Sequence, residues 1–298
     1  MQQLLISGGT GLIGRHLIEK LKNRFTITVI SRDPSRAQRL LGKEIAAFTL
    51  EEISDVNNYD AIVNLAGEPI ADKRWTENQK RLICESRWDI TTRLVDLINS
   101  ADSKPSVLIS GSAVGIYGRQ GDTPINEDFE EYHQEFSSKV CQTWEQIALK
   151  AHSSATRVCI ARTGIVLDED GGALAKMVMP FRLGLGGPIS KGTQYMSWIH
   201  IEDMVKALIF MLENSKCSGP YNLTAPNPNT NAFFSIKLAK RLDRPCMFKM
   251  PKIVIKTIMG ESSDLVLYGQ KVLPERLMSA GFNFTYPTLE EALNSLDL

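Results

Sequence analysis

A chain of 298 residues, 43% hydrophobic and 23% charged, is long enough to bury one large α/β core or two smaller ones. Its 34 basic and 34 acidic side chains cancel, so no global charge calls for nucleic acid or an anionic membrane as partner. The five cysteines, Cys84, Cys141, Cys159, Cys217 and Cys246, are scattered without a C-x-x-C pair, which argues against a disulfide framework and against zinc. No apolar run reaches the roughly 18 residues of a membrane span, and the first residues run directly into a strand-like segment with no room for a signal peptide. The expected setting is cytoplasmic and the expected partner a small molecule, with neither nucleic acid nor membrane; no oligomeric state follows from the sequence.

Residues 4–7 read as a buried strand, 12–22 as an amphipathic helix, and 26–30, rich in β-branched residues, as the next strand. Residues 60–65 (DAIVNL) and 107–110 (VLIS) repeat the strand signal, with helical periodicity over 77–98 between them. A helix over about 136–150 and a strand over 157–161 follow. This alternation predicts an α/β fold, a Rossmann-type doubly wound parallel sheet covered by helices. After Thr163 the texture changes: 183–192 (LGLGGPISKG) is glycine-rich and 225–231 (APNPNTN) is a polar loop, both suited to folding over a ligand. Two later helices are expected at about 201–213 and 232–242. The domain reading is a Rossmann domain of 1–163 plus about 199–223, and a smaller interleaved substrate domain of about 164–198 plus 224–298.

The strand at 4–7 runs into GGTGLIG at 8–14, which opens a helix. Gly8 permits the tight turn, Gly11 lets backbone approach a pyrophosphate, and Gly14 lets the helix pack closely on the strand. With Thr10, Leu12 and Ile13 these residues place unpaired N–H groups and a positive helix end at the phosphates of a dinucleotide. At the end of the second strand, Ser31 and Arg32 match the 2′-phosphate of NADP, whereas Asp33, the group that would suit NAD, stands before Pro34 as a loop residue. NADP(H) is therefore the expected cofactor, ahead of NAD(H). Leu65, Ala66 and Gly67, following the 60–65 strand, bring small residues to the adenosine half.

With GGTGLIG, the SR after the second strand, NLAG at 64–67 and SGSAVGIYG at 110–118, the chain resembles the extended short-chain dehydrogenase/reductases. More narrowly it is similar to their atypical, epimerase-like branch, known as predicted nucleoside-diphosphate-sugar epimerases. That narrower likeness rests on RW at 74–75, ESR at 85–87, ARTGIVL at 161–167, PFRLGLGGP at 180–188, MSWIHIED at 196–203, GPYNLTAPNP at 219–228 and GQKVLPERL at 269–277. It spans nearly the whole chain, and implies a Rossmann domain plus a small substrate domain ending in a region of unknown role.

Members of the wider family share their chemistry among a Ser, a Tyr and a Lys four residues after the Tyr, because a hydride leaves a carbinol only as its hydroxyl proton finds a base. None of the seven tyrosines here has a lysine at that spacing. A helix registered on Lys139 puts Glu135 in the tyrosine place; registered on Glu145, it puts Cys141 and Ser137 in the two places. Ser112, just beyond the 107–110 strand, matches the family's substrate-bonding serine, with Ser110 as the nearby alternative, here counted with the cofactor site. Tyr117 in the same loop either aims its hydroxyl at the site or packs its ring and bonds backbone. Arg87, on the long helix after NLAG, reaches the pyrophosphate or the adenosine end, or else forms a surface ion pair. Arg162, closing the 157–161 strand at the ligand edge, is expected to meet substrate or nicotinamide. Trp198 and Arg182 line a pocket or pack domains. His200-Ile201-Glu202-Asp203 reads as a helix start whose acids oppose the dipole, so no metal is expected. Two functions stay open: an NADP(H)-dependent oxidoreductase or epimerase acting on a small polar, sugar-like substrate, and a dinucleotide-bound scaffold or redox sensor that no longer turns over.

Overall fold

The computed structural model describes residues 1–298. The first half runs β1 (Gln2–Ser7), α1 (Leu12–Leu21), β2 (Phe25–Ile30), α2 (Pro34–Leu41), β3 (Ala46–Phe48), β4 (Ala61–Asn64), α3 (Glu77–Ser100) and β5 (Val107–Ala113). It continues through β6 (Pro124–Ile125), α4 (Phe136–Leu149), β7 (Arg157–Thr163), β8 (Ile165–Leu167), α5 (Gly172–Arg182), β9 (Tyr195–Met196), β10 (Trp198–His200), α6 (Ile201–Glu213) and β11 (Gly219–Leu223). The last part holds β12 (Asn229–Thr230), α7 (Asn231–Arg241), α8 (Lys252–Met259), α9 (Asp264–Leu267), β13 (Lys271–Val272), α10 (Glu275–Ser279) and α11 (Leu289–Ser295).

Seven strands form one parallel sheet in the order β11-β7-β5-β4-β1-β2-β3. Apolar residues alternate to both faces. Leu4 and Ile6 of β1 join α1 and α6 in one core, while Leu5 joins Leu94 and Ile98 of α3 in the other. Burial on both sides is why these strands read as nearly continuous hydrophobic runs. The order reverses between β1 and β4, which opens a crevice at their carboxyl ends.

Two strands overrun their expected ends. β5 reaches Ala113 and β7 reaches Thr163, and the parallel register pairs Ser112 with Arg162. Ser112 therefore sits inside a strand, where a loop position was expected. The apolar signal stops at Ile109 and Ala161, but the ladder hydrogen bonds continue through the polar residues.

A separate core joins Leu167, Leu174, Trp198, Phe234, Leu238 and Leu293, from segments either side of β11. Leu277 and Phe282 instead pack with the β1–α1–α6 core. Single buried acids tie down the final segment. Asp203 on α6 accepts the Thr285 and Tyr286 N–H groups, each at 2.8 Å, so this acid is an anchor, beyond the dipole role expected of it. Glu127 accepts the Asn222 N–H at 2.9 Å and the Arg276 N–H at 3.3 Å, and burial pushes its carboxyl pKa up. No helix is long and apolar enough to cross a membrane.

Candidate functional site

The glycine turn stands at the crevice. Gly8 has φ +73°, and a Cβ there would lie 2.6 Å from the Leu65 carbonyl and 2.7 Å from the Ala66 nitrogen, so the turn and the NLAG loop touch through backbone. A Cβ on Gly14 would lie 2.4 Å from the Gly8 oxygen and 2.7 Å from Gly9 Cα. Gly11 is the N-cap of α1, without a side-chain cap and with no acid in the first turn. The N–H groups of Leu12, Ile13 and Gly14 thus remain available at a positive helix end, a cradle for an anion. Behind it, Ser7 Oγ donates to Asn64 Oδ1 at 2.5 Å and Asn64 Nδ2 donates to Thr91 at 2.8 Å, locking β1, β4 and α3 together.

Ser31 and Arg32 follow β2 at the same edge. Asp33 is spent as the N-cap of α2, accepting the Arg36 N–H at 2.8 Å. Arg32 is exposed and forms no ion pair, leaving its guanidinium open to a phosphate. Thr10, Leu65 and Ala66 are half-buried around the crevice and Gly67 is exposed.

Arg87 extends toward Gly67, where a Cβ would fall 2.8 Å from its Cζ. It donates to the Ile83 carbonyl at 2.9 Å and lies 5.3 Å from the Trp144 ring centre. It has no carboxylate partner, so the surface ion pair is not formed; burial lowers its pKa.

On the other side of β4 the expected catalytic groups bond one another. Arg162 is enclosed under α4 and donates to both Glu145 oxygens, at 3.0 and 2.9 Å, and to the Tyr117 hydroxyl at 2.9 Å. Ser112 Oγ donates to the same Glu145 at 2.6 Å. Tyr117 is fully buried and its hydroxyl donates to Asn222 Oδ1 at 2.7 Å. Burial pushes the Tyr117 pKa up to about 12, against the pull of the Arg162 charge. Burial also works against the Arg162 charge, but the hydrogen bonds and charge of Glu145 outweigh it and hold the guanidinium pKa above its ordinary value.

Two expectations are corrected here. Arg162 does not open toward substrate or nicotinamide, because strand alternation carries Val158, Ile160 and Arg162 to the face that α4 covers. Tyr117 does not aim its hydroxyl into a ligand space, because Asn222 and Arg162 enclose it. Ser110 is likewise fully buried, with its hydroxyl turned to the Gly111 carbonyl.

Lys139 is exposed, whereas Ser137, Cys141 and Glu145 share the buried stripe. Ser137 and Cys141, the pair set by the register on Glu145, face inward together, and burial pushes the Cys141 thiol up to about 11. Ser137 opens into a cavity of about 210 Å³ with Trp75, Arg119, Glu135, Phe136 and Asp264. There its hydroxyl donates to Glu135 at 3.0 Å, while Arg119 bridges Glu135 at 3.0 Å and Asp264 at 2.9 Å. Sequence reasoning missed Arg119, Asp264 and Asn222. It reached Glu135 and Glu145 only as helix positions, although Glu145 lies on the apolar stripe of α4, which was a usable signal. Trp198 is core packing, bonded to Asn229 at 3.0 Å; Arg182 is exposed; His200 caps α6.

The profile of the NAD dependent epimerase/dehydratase family matches residues 4–224. The chain belongs to that family. A domain of unknown function, DUF1731, matches residues 250–296. An epimerase family protein of Staphylococcus haemolyticus is 37% identical over 297 residues, covering 99% of both chains. The chloroplastic SDR39U1 homologue of Arabidopsis thaliana is 38% identical, covering 98% of this chain and 85% of its own. Human epimerase family protein SDR39U1, solved with NADPH, superposes with a TM-score of 0.92 at 33% identity over 100% of both chains. The family member described here thus has the NAD(P)-binding scaffold of the short-chain dehydrogenases.

Proposed function

We propose that this protein is an NADP(H)-dependent oxidoreductase or epimerase acting on a small polar molecule in the cytoplasm. The observation that carries the cofactor choice is the unpaired Arg32 beside Ser31, with Asp33 consumed as a helix cap. In this reading Gly8, Thr10, Gly11, Leu12, Ile13 and Gly14 hold the pyrophosphate, Leu65, Ala66 and Gly67 flank the adenosine half, and Arg87 reaches the pyrophosphate from α3. The human relative's NADPH supports the same assignment. When bound, the dinucleotide supplies or accepts the hydride; the chain's own groups orient it and handle the proton.

The substrate space is the cavity lined by Ser137, Glu135 and Arg119. At about 210 Å³ it is smaller than the roughly 300–1,000 Å³ of sites for drug-sized ligands. Its single arginine is already neutralised by Glu135 and Asp264. These features favour a small substrate without a diphosphate over a nucleotide sugar.

Binding titrations with NADPH and NADH test the cofactor choice. Arg32→Ala is expected to weaken NADPH about 10- to 100-fold, the range for a charge-assisted contact, and NADH little. Equal losses for both would remove the case for NADP. A second reading, a dinucleotide-bound scaffold, is favoured by the mutual engagement of Ser112, Tyr117, Glu145 and Arg162. Retention of cofactor through gel filtration, with no reduction or oxidation of it by any panel of small hydroxy or carbonyl compounds, would favour that reading.

A further inference from the structure

The whole-chain charge is zero, but the charge is not evenly spread. Residues 171–201 and 244–260 contain no Asp or Glu, and carry Lys176, Arg182, Lys191, Arg244, Lys249, Lys252 and Lys256. Only Lys176 among these is ion-paired, with Asp72. The flanking acids are Asp170 and Glu202 about the first stretch, and Asp243 and Glu261 about the second, with Lys80 taking Glu261 at 2.6 Å.

The two segments lie side by side. The Met250 N–H donates to the Pro188 carbonyl at 2.9 Å, the Ser190 N–H to Met250 at 2.8 Å, and Arg244 to the Arg182 carbonyl at 3.3 Å. A Cβ on Gly187 would fall 1.6 Å from the Phe248 oxygen. The glycine-rich stretch therefore serves this backbone contact, where a fold over ligand was expected. The joined surface exposes large apolar side chains: Leu183 at 68%, Met247 at 78%, Ile253 at 78% and Ile258 at 63%. Met179, Leu185 and Phe248 are also more than half exposed.

Helix α8 shows the logic. Ile255 packs inward, and Arg74 fixes the carboxyl end by donating to the Ile258 carbonyl at 2.8 Å. At 100° per residue, Ile253, Val254 and Ile258 fall on one outward arc, and Lys252 and Lys256 lie together at its flank. An outward apolar face flanked by lysines is the pattern of a helix lying in a membrane interface, its lysine stems extended to the headgroups.

We infer that this α5–α8 face docks on the surface of an anionic phospholipid bilayer, as a peripheral contact. The composition selects this occupant. Lysines, which supply four of the six unpaired cations on this face, are depleted in protein–protein interfaces. A second copy of the chain would bring unpaired cations against unpaired cations. An anionic bilayer satisfies both the apolar side chains and the charge.

The test is flotation of the full-length protein with vesicles of phosphatidylglycerol mixed with phosphatidylcholine, and with phosphatidylcholine alone. Binding is expected only to the anionic vesicles, and to weaken as salt rises. Lys249→Glu and Lys256→Glu should each reduce it at least about fivefold, the scale for one basic residue at such a surface. Ile253→Ser combined with Ile258→Ser should abolish it, with thermal stability and NADPH affinity unchanged. Equal binding to both vesicle types would overturn the inference, as would no binding to either. Concentration-dependent self-association lost in the Ile253→Ser, Ile258→Ser variant, without vesicle binding, would assign the face to a dimer and also overturn it.

Discussion

Replacing Arg162 with methionine separates a structural guanidinium from a ligand-binding one. The side chains of Arg162 and Glu145 are 4% and 8% exposed, so Arg162→Met strands a buried carboxylate. Glu145 would lose two charge-assisted bonds and keep the one from Ser112. Breaking one side of such a pair costs about 3–5 kcal/mol. An unfolding entropy of about 2.1 cal/mol/K per residue amounts to roughly 0.6 kcal/mol/K at this length, so Tm should fall by about 5–8 °C. Differential scanning calorimetry reads the fall, and Glu145→Gln added to Arg162→Met should recover part of it by removing the stranded charge. NADPH affinity, titrated on the folded variant, should stay within about threefold. A Tm loss under about 2 °C together with a tenfold or greater loss of NADPH affinity would refute the reasoning and return Arg162 to the cofactor.

Ser112→Ala removes one hydrogen bond to a charged acceptor and should cost about 1.5–3 kcal/mol in chemical denaturation while leaving NADPH affinity intact. Gly14→Ala forces a methyl against the Gly8 and Gly9 backbone; calorimetry should show about 1–3 kcal/mol of destabilisation, and titration at least a tenfold loss of NADPH affinity. His200 gives a pH prediction. Burial lowers its pKa, its Nδ1 accepts the Glu202 N–H at 3.2 Å, and its Nε2 lies 3.2 Å from Ser295 Oγ. Because the folded pKa lies below the unfolded one, its stabilising contribution is complete above about 6.5 and is lost as pH falls through the folded value. Tm should therefore decline from about pH 7 to 5, and His200→Asn, which keeps a capping acceptor, should flatten that decline.

The Rossmann half was legible because each of its signals is local. A β-branched run, a glycine turn and a periodic helix announce themselves within ten residues, and the cofactor crevice follows from their order. Asp33 shows the limit of that reading: expected as a loop residue before Pro34, it is the N-cap of α2, a helix the sequence had not marked. What was not legible depends on partners far along the chain. Arg162 reads as a strand-end arginine until the register sets it beside Ser112 and the helix lays Glu145 over both. The Arg119–Asp264 bridge spans 145 positions, and strands of two residues such as β9, β12 and β13 have no period to detect. The glycines at 186–187 misled in another way: they suited a ligand loop equally well, and only the nearness of Phe248 shows which backbone they admit.

If the register on Glu145 holds, Ser137 and Cys141 stand at the family's Tyr and Lys places, with a consequence that the sequence alone conceals. With Cys141 for lysine, no cation projects from α4 toward the cavity, and the guanidinium whose charge reaches the Cys141 thiol is that of Arg87, on α3. The hydroxyl that remains on the cavity wall is that of Ser137, and its acceptor is Glu135, held in turn by Arg119. A proton leaving a bound substrate would thus meet a serine backed by a carboxylate, in place of a tyrosine backed by an ammonium. Such a pair carries negative charge where the usual pair carries positive, so it suits a substrate that arrives polar and uncharged or cationic and disfavours one that develops an alkoxide unaided. On the reading proposed above, Glu135 is at once part of the cavity's acidic lining and the acceptor of Ser137, so one carboxylate would set the preference in both respects.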